Sequence, residues 1–97
     1  MMRKSYLLVY SSSVGSYSKV KETINSLDEI TTWRHELNNT FFLVSTYSAH
    51  EISSAFRNSL NHSSGRFIIS EITQNKQGWL TSDGWYVINK KKLKPKD

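Results

Sequence analysis

The sequence predicts an α+β domain in the order βαββαβ, followed by a short C-terminal extension. Three observations lead there. Apolar and β-branched runs of strand length begin near residues 5, 30, 40 and 66. Two stretches between them have apolar residues at helical spacing. The whole chain is 97 residues, the size of one domain.

Residues 5–10 read as a strand rich in Tyr, Leu and Val, ending in the loop-like Ser11-Ser12-Ser13-Val14-Gly15-Ser16. Tyr17, Val20, Ile24 and Leu27 then form one stripe of an amphipathic helix, with Lys19, Lys21 and Glu22 outside it. Ser16 or Ser18 can cap its start. Residues 30–36 form a weaker strand. Asn38-Asn39 follows, and Asn tolerates the positive φ of a tight hairpin. Thr40 to Thr46 is the strongest strand, centred on Phe41-Phe42-Leu43-Val44. Ser48-Ala49-His50-Glu51 has the pattern of a capping box, and Ile52, Ala55, Phe56 and Leu60 give the helix after it an apolar face. Asn61 to Gly65 is a polar break, and Arg66 to Ile72 a fourth strand. Gln74 to Gly78 is a loop before the apolar pair Trp79-Leu80. Ser82 to Lys91 has helical length, against which Gly84, Val87 and Ile88 weigh.

This order is that of a ferredoxin-like sandwich over residues 1–89, with residues 90–97 as a basic tail. Right-handed crossovers would set both helices on one face of a four-stranded antiparallel sheet in spatial order 4-1-3-2. The strands are apolar on both sides. Leu7 and Val9 are expected to face the helices, leaving Tyr6, Leu8 and Tyr10 on the open face. Something must cover that face, because large exposed apolar patches are rare on monomers. A homodimer is the preferred cover, with Tyr6, Leu8, Tyr10, Trp79 and Trp85 at its interface. The extension from Trp79 to Ile88 is the alternative.

Composition excludes several functions. There is no Cys, hence no disulfide, thiol catalysis or Cys-bound zinc. No apolar run approaches the ~18 residues of a membrane span, and the N-terminal apolar run is too short for a signal peptide. A cytoplasmic protein is expected. The net charge of +5 lies mostly in the tail: residues 90–97 hold five Lys and one Asp, leaving 8 basic and 7 acidic groups elsewhere. Lys90, Lys91, Lys92 and Lys94 are candidate nucleic-acid contacts through weak, salt-sensitive attraction. A solubilising terminus explains them equally well.

A resemblance adds to this reading. Tyr10-Ser11-Ser12-Ser13-Val14-Gly15-Ser16-Tyr17 is followed by Trp33, Leu37, Thr40, Phe42-Leu43-Val44 and Thr46. Next come Ser48-Ala49-His50-Glu51-Ile52, Glu71-Ile72-Thr73 and Gly78-Trp79-Leu80. Together, over roughly residues 5–88, they resemble the SinR-like family of small bacterial and phage proteins. That family is similar in fold to the small CRISPR-associated spacer-acquisition proteins and VapD-type endoribonucleases. The resemblance implies the ferredoxin-like fold and a dimer. Relatives with proposed metal-dependent nuclease activity carry an Asp at the end of the first strand, where this chain has Ser11. A neutral hydroxyl is a poor ligand for a hard divalent cation, so the departure argues against nuclease chemistry.

The candidate ligand site is the loop into the first helix. Ser11, Ser12, Ser13, Gly15 and Ser16, with Lys19 nearby, offer hydroxyls, backbone N–H groups and a helix N-terminus to a phosphate. A plain solvated capping loop is the alternative, since no P-loop signature is present. His35 could line a neighbouring groove, but it has no evident nucleophile to serve. The spacing of His35, His50 and His62 matches no local metal motif, so no metal or cofactor is expected. The expected function is a non-catalytic dimeric binding module for a nucleotide, a nucleic acid or a defence-system protein. An endoribonuclease and a purely structural oligomer are the alternatives.

Overall fold

The computed structural model describes residues 2–60 and 65–93. It is an α+β fold with a four-stranded antiparallel sheet and three helices. The strands are β1 (Lys4–Tyr10), β2 (Thr32–Leu37), β3 (Thr40–Ser45) and β4 (Phe67–Glu71). The helices are α1 (Tyr17–Asn25), α2 (Ala49–Ser59) and α3 (Ser82–Lys90). Sheet order is β2-β3-β1-β4, so β1 and β3 are central, and read from the β4 edge it runs 4-1-3-2.

Local chemistry accounts for the boundaries. Ser16 caps α1 by accepting the Lys19 N–H at 3.2 Å. At α2 both halves of the capping box form: Ser48 Oγ accepts from the Glu51 backbone at 3.1 Å, and Glu51 Oε1 accepts from the Ser48 backbone at 3.0 Å. The two bonds hold the Glu51 carboxyl below its ordinary pKa. Between β2 and β3, Asn39 takes a left-handed φ of 56°, which Asn tolerates in a two-residue turn. A register shift between Arg34 and Leu37 sets His35 and Glu36 against one residue of β3. This bulge turns both Glu36 and Leu37 toward the same side of the sheet as Arg34.

The core lies between the sheet and the pair α1–α2. Tyr6, Leu8 and Tyr10 from β1 and Phe41 and Leu43 from β3 meet Val20, Ile24, Ile52, Phe56 and Leu60 from the helices. This corrects the expected parity of β1. Tyr6, Leu8 and Tyr10 are buried under the helices and are not surface for a dimer, while Leu7 and Val9 point to the opposite face. The larger side chains go where two helices can enclose them. The Tyr6 hydroxyl also finds a partner there, donating to the Tyr47 carbonyl at 2.6 Å. Burial, then the nearby Glu71 and Glu51 charges, push the Tyr6 phenol pKa up.

The second face is covered largely within the chain. Residues 72–81 cross from the β4 edge to the β2 edge, and α3 returns toward β1. Phe42 and Val44 are buried there with Val87 and Ile88, giving a third layer. Val9, Leu37, Ile68 and Trp79 remain exposed.

The position of the core predicts a contrast between faces. Phe41 is fully buried, with its ring near those of Tyr10, Tyr17, Trp33 and His35. Phe41→Ala is expected to cost about 3–5 kcal/mol in urea unfolding. Ile68→Ala, at a residue 63% exposed, should stay within about 0.5 kcal/mol of wild type. Equal losses would contradict this placement of the core.

Candidate functional site

The most built feature of the outer face begins with Glu36. Its side chain is only 9% exposed and ends among donors. Oε2 takes Arg34 Nε at 2.6 Å and also accepts the Thr81 hydroxyl, while Oε1 accepts the Thr81 N–H at 3.1 Å. Thr81 Oγ1 in turn accepts the Gly84 N–H at 3.1 Å and so caps α3. Gly84 is needed for the approach: a Cβ there would lie 2.5 Å from Glu36 Oε2. At the other end of α3, the Ser5 hydroxyl donates to the Ile88 carbonyl at 2.5 Å. Burial raises the Glu36 pKa, but hydrogen bonds from the Thr81 hydroxyl, Arg34 and the Thr81 backbone, with the Arg34 charge, outweigh it. The net shift is downward.

Fixing α3 in this way leaves a cleft between it and the crossing segment. The floor is Leu7, Leu37 and Phe42, and Trp85 and Ile88 form the α3 wall. Residues 76–80 form the opposite wall, where Trp79 is 97% exposed. The volume is about 360 Å³, within the usual range for a ligand pocket. A second cavity of about 420 Å³ adjoins it, sharing Ile72, Lys76 and Ile88. That cavity is lined by Arg3, Lys4, Lys76 and Lys91, with Glu71 its one carboxylate. Of the residues expected at a dimer interface, Trp79 and Trp85 thus share this cleft, away from Tyr6, Leu8 and Tyr10.

The serine loop makes hydrogen bonds within its own architecture. Ser11 Oγ bonds Ser13 Oγ at 2.7 Å and accepts the Arg66 N–H at 3.1 Å, while Ser12 Oγ accepts from Asn39 Nδ2 at 3.2 Å. Ser16 is the α1 cap. Gly15 has φ 155°, and a Cβ there would meet Lys19 Cγ at 2.9 Å. These bonds tie the β1 end to the turn between β2 and β3 and to the start of β4. His35 packs its ring on Tyr17 and Phe41, at 4.5 and 5.0 Å between centroids. It touches the α1 start through Tyr17, not through the serines.

Lys90 ends α3, and Lys91 is its left-handed C-cap, donating its N–H to the Val87 carbonyl at 2.9 Å. Helix therefore extends one residue beyond the expected domain boundary at residue 89. Lys92 is exposed; Lys94 and His62 lie outside the described residues. Among the described residues, no group of three His or carboxylate side chains is placed to hold a metal ion. No described helix is long and apolar enough to cross a membrane. No family model, curated protein or solved structure matches the chain.

Sequence reasoning missed Glu36 and Lys76. The signal for Glu36 was an acid two residues before an Asn-Asn turn, on a strand otherwise read for its β-branched and aromatic content. Its role has a pH signature. A carboxyl whose folded pKa is depressed stabilises the fold above its unfolded pKa, and that contribution is lost as pH falls through the folded value. The stability gap between wild type and Glu36→Gln should therefore be full at neutral pH and close as acidification carries the pH below the ordinary carboxylate range. Urea midpoints measured across this range test it, and a gap independent of pH would contradict the Glu36 linkage.

Proposed function

We propose that the chain is a non-catalytic binding module on a ferredoxin-like scaffold, acting as a homodimer in the cytoplasm. The observation that carries this reading is the apolar cleft between α3 and residues 76–80, with cations at one end. Its floor is the outer face of the sheet, so a rigid element presents the binding surface. Strand order and the placement of α1 and α2 support the ferredoxin-like assignment. The same order suits the SinR-like resemblance, in a phage or bacterial conflict setting where the partner is a nucleic acid, a nucleotide or a defence protein. The second copy would seat on the exposed Val9 and Ile68, whose shallow cavity shares no lining residue with the cleft.

Ser11 favours binding over endoribonuclease chemistry. Its hydroxyl pairs with Ser13 and accepts the Arg66 N–H at the β1–β4 junction, and it is neutral where a metal-dependent nuclease of that fold would need a carboxylate. Native mass spectrometry is expected to give twice the 11.2 kDa chain mass, with ligand retained by protein purified from cells. A monomer at micromolar concentration would remove the dimer. RNA or DNA cleavage in Mg²⁺ or Mn²⁺ that stops with EDTA would remove the non-catalytic reading.

A further inference from the structure

We infer that the cleft is a single-strand nucleic-acid site, in which bases enter between Trp79 and Trp85 and phosphates run along the adjoining cations. This rests on the binding-module reading and names its ligand. Two independent features converge. The first is aromatic: an almost fully exposed indole at the mouth of an apolar cleft whose walls and floor carry Trp85 and Phe42. Exposed aromatic faces beside a groove are the stacking platform that unpaired bases use. The second is charge. Arg3, Lys4, Lys76 and Lys91 gather in the adjoining cavity against Glu71 alone, and Lys76 lines both cavities. Four cations exceed what one phosphate group needs and suit a run of phosphates. They also disfavour a second copy in this cleft, which would bring like charges together around a twofold axis.

The geometry discriminates among nucleic acids. Paired bases are stacked inside a duplex and cannot enter the cleft, whereas a single strand offers both base and phosphate. Lys90 and Lys92 lie at the same end of α3 and add affinity that depends on salt and is indifferent to bases.

The test is fluorescence anisotropy of the full chain with labelled ten-nucleotide dT and a labelled duplex of equal length. Wild type is expected to prefer the single strand by about tenfold or more at moderate salt. Trp79→Ala, at a surface position that leaves the core intact, should erase most of that preference while keeping the weak duplex binding. Lys76→Gln should lower the slope of log affinity against log salt by about 0.7. Equal affinity for strand and duplex, or a preference unchanged by Trp79→Ala, would overturn the assignment. An Asp- and Phe-rich peptide that binds when dT does not would also overturn it, yet would leave the binding-module reading standing.

Discussion

The carboxylate of Glu36 holds the outer layer in place. It sits on β2 with its charge satisfied by Arg34 and by both donors of Thr81. α3 has only nine residues, and a helix so short is marginal by itself in water. Its placement depends on tertiary anchors: Glu36 at its start, Ser5 at its end, and the buried Val87 and Ile88 between them. Gly84 belongs to the same constraint, because any side chain would push α3 off the carboxylate. Undocking α3 would expose Phe42 and Val44 and dissolve the cleft.

The two faces of the sheet solve different problems. Under α1 and α2 the packing is aromatic and closed, centred on Phe41 and its ring neighbours. The outer face is enclosed by one short helix and an extended crossing segment, which leaves room for a ligand. Charge follows the same division. Arg3 precedes β1 and Lys4 opens it, Lys76 is in the crossing segment and Lys91 caps the C-terminal end of α3, yet all four line one cavity. A linear tally that assigns the basic excess to the tail cannot see this convergence. Cations there also face the negative end of the α3 dipole, and the Lys91 carbonyl accepts from Arg3 Nη1 at 3.3 Å.

Local chemistry was readable from residue types. The capping box at Ser48, the Ser16 cap and the Asn39 turn each follow from a short-range preference, and each forms. Strand order followed from the alternation of elements. The parity of β1 was not readable, because Tyr6-Leu8-Tyr10 and Leu7-Val9 are both apolar and periodicity has no polar face to point outward. The serine loop reads as an anion cradle from its hydroxyls and its place before α1, and residue types alone do not show that Arg66, Asn39 and Ser13 bond to those oxygens in the fold. Glu36 had only a weak sequence signature and Lys76 none, since Thr81 lies 45 residues from Glu36 and Lys76 meets Arg3, Lys4 and Lys91 only across the fold.

Amide hydrogen exchange tests most directly whether Glu36 holds the outer layer. Protection of the Ile88 amide in α3 and of the Lys91 amide that caps it should collapse in Glu36→Ala while the β1 and β3 amides stay protected, because the core under α1 and α2 does not need α3. Unchanged α3 protection in that variant would contradict the account, as would equal loss of protection across β1, β3 and α3.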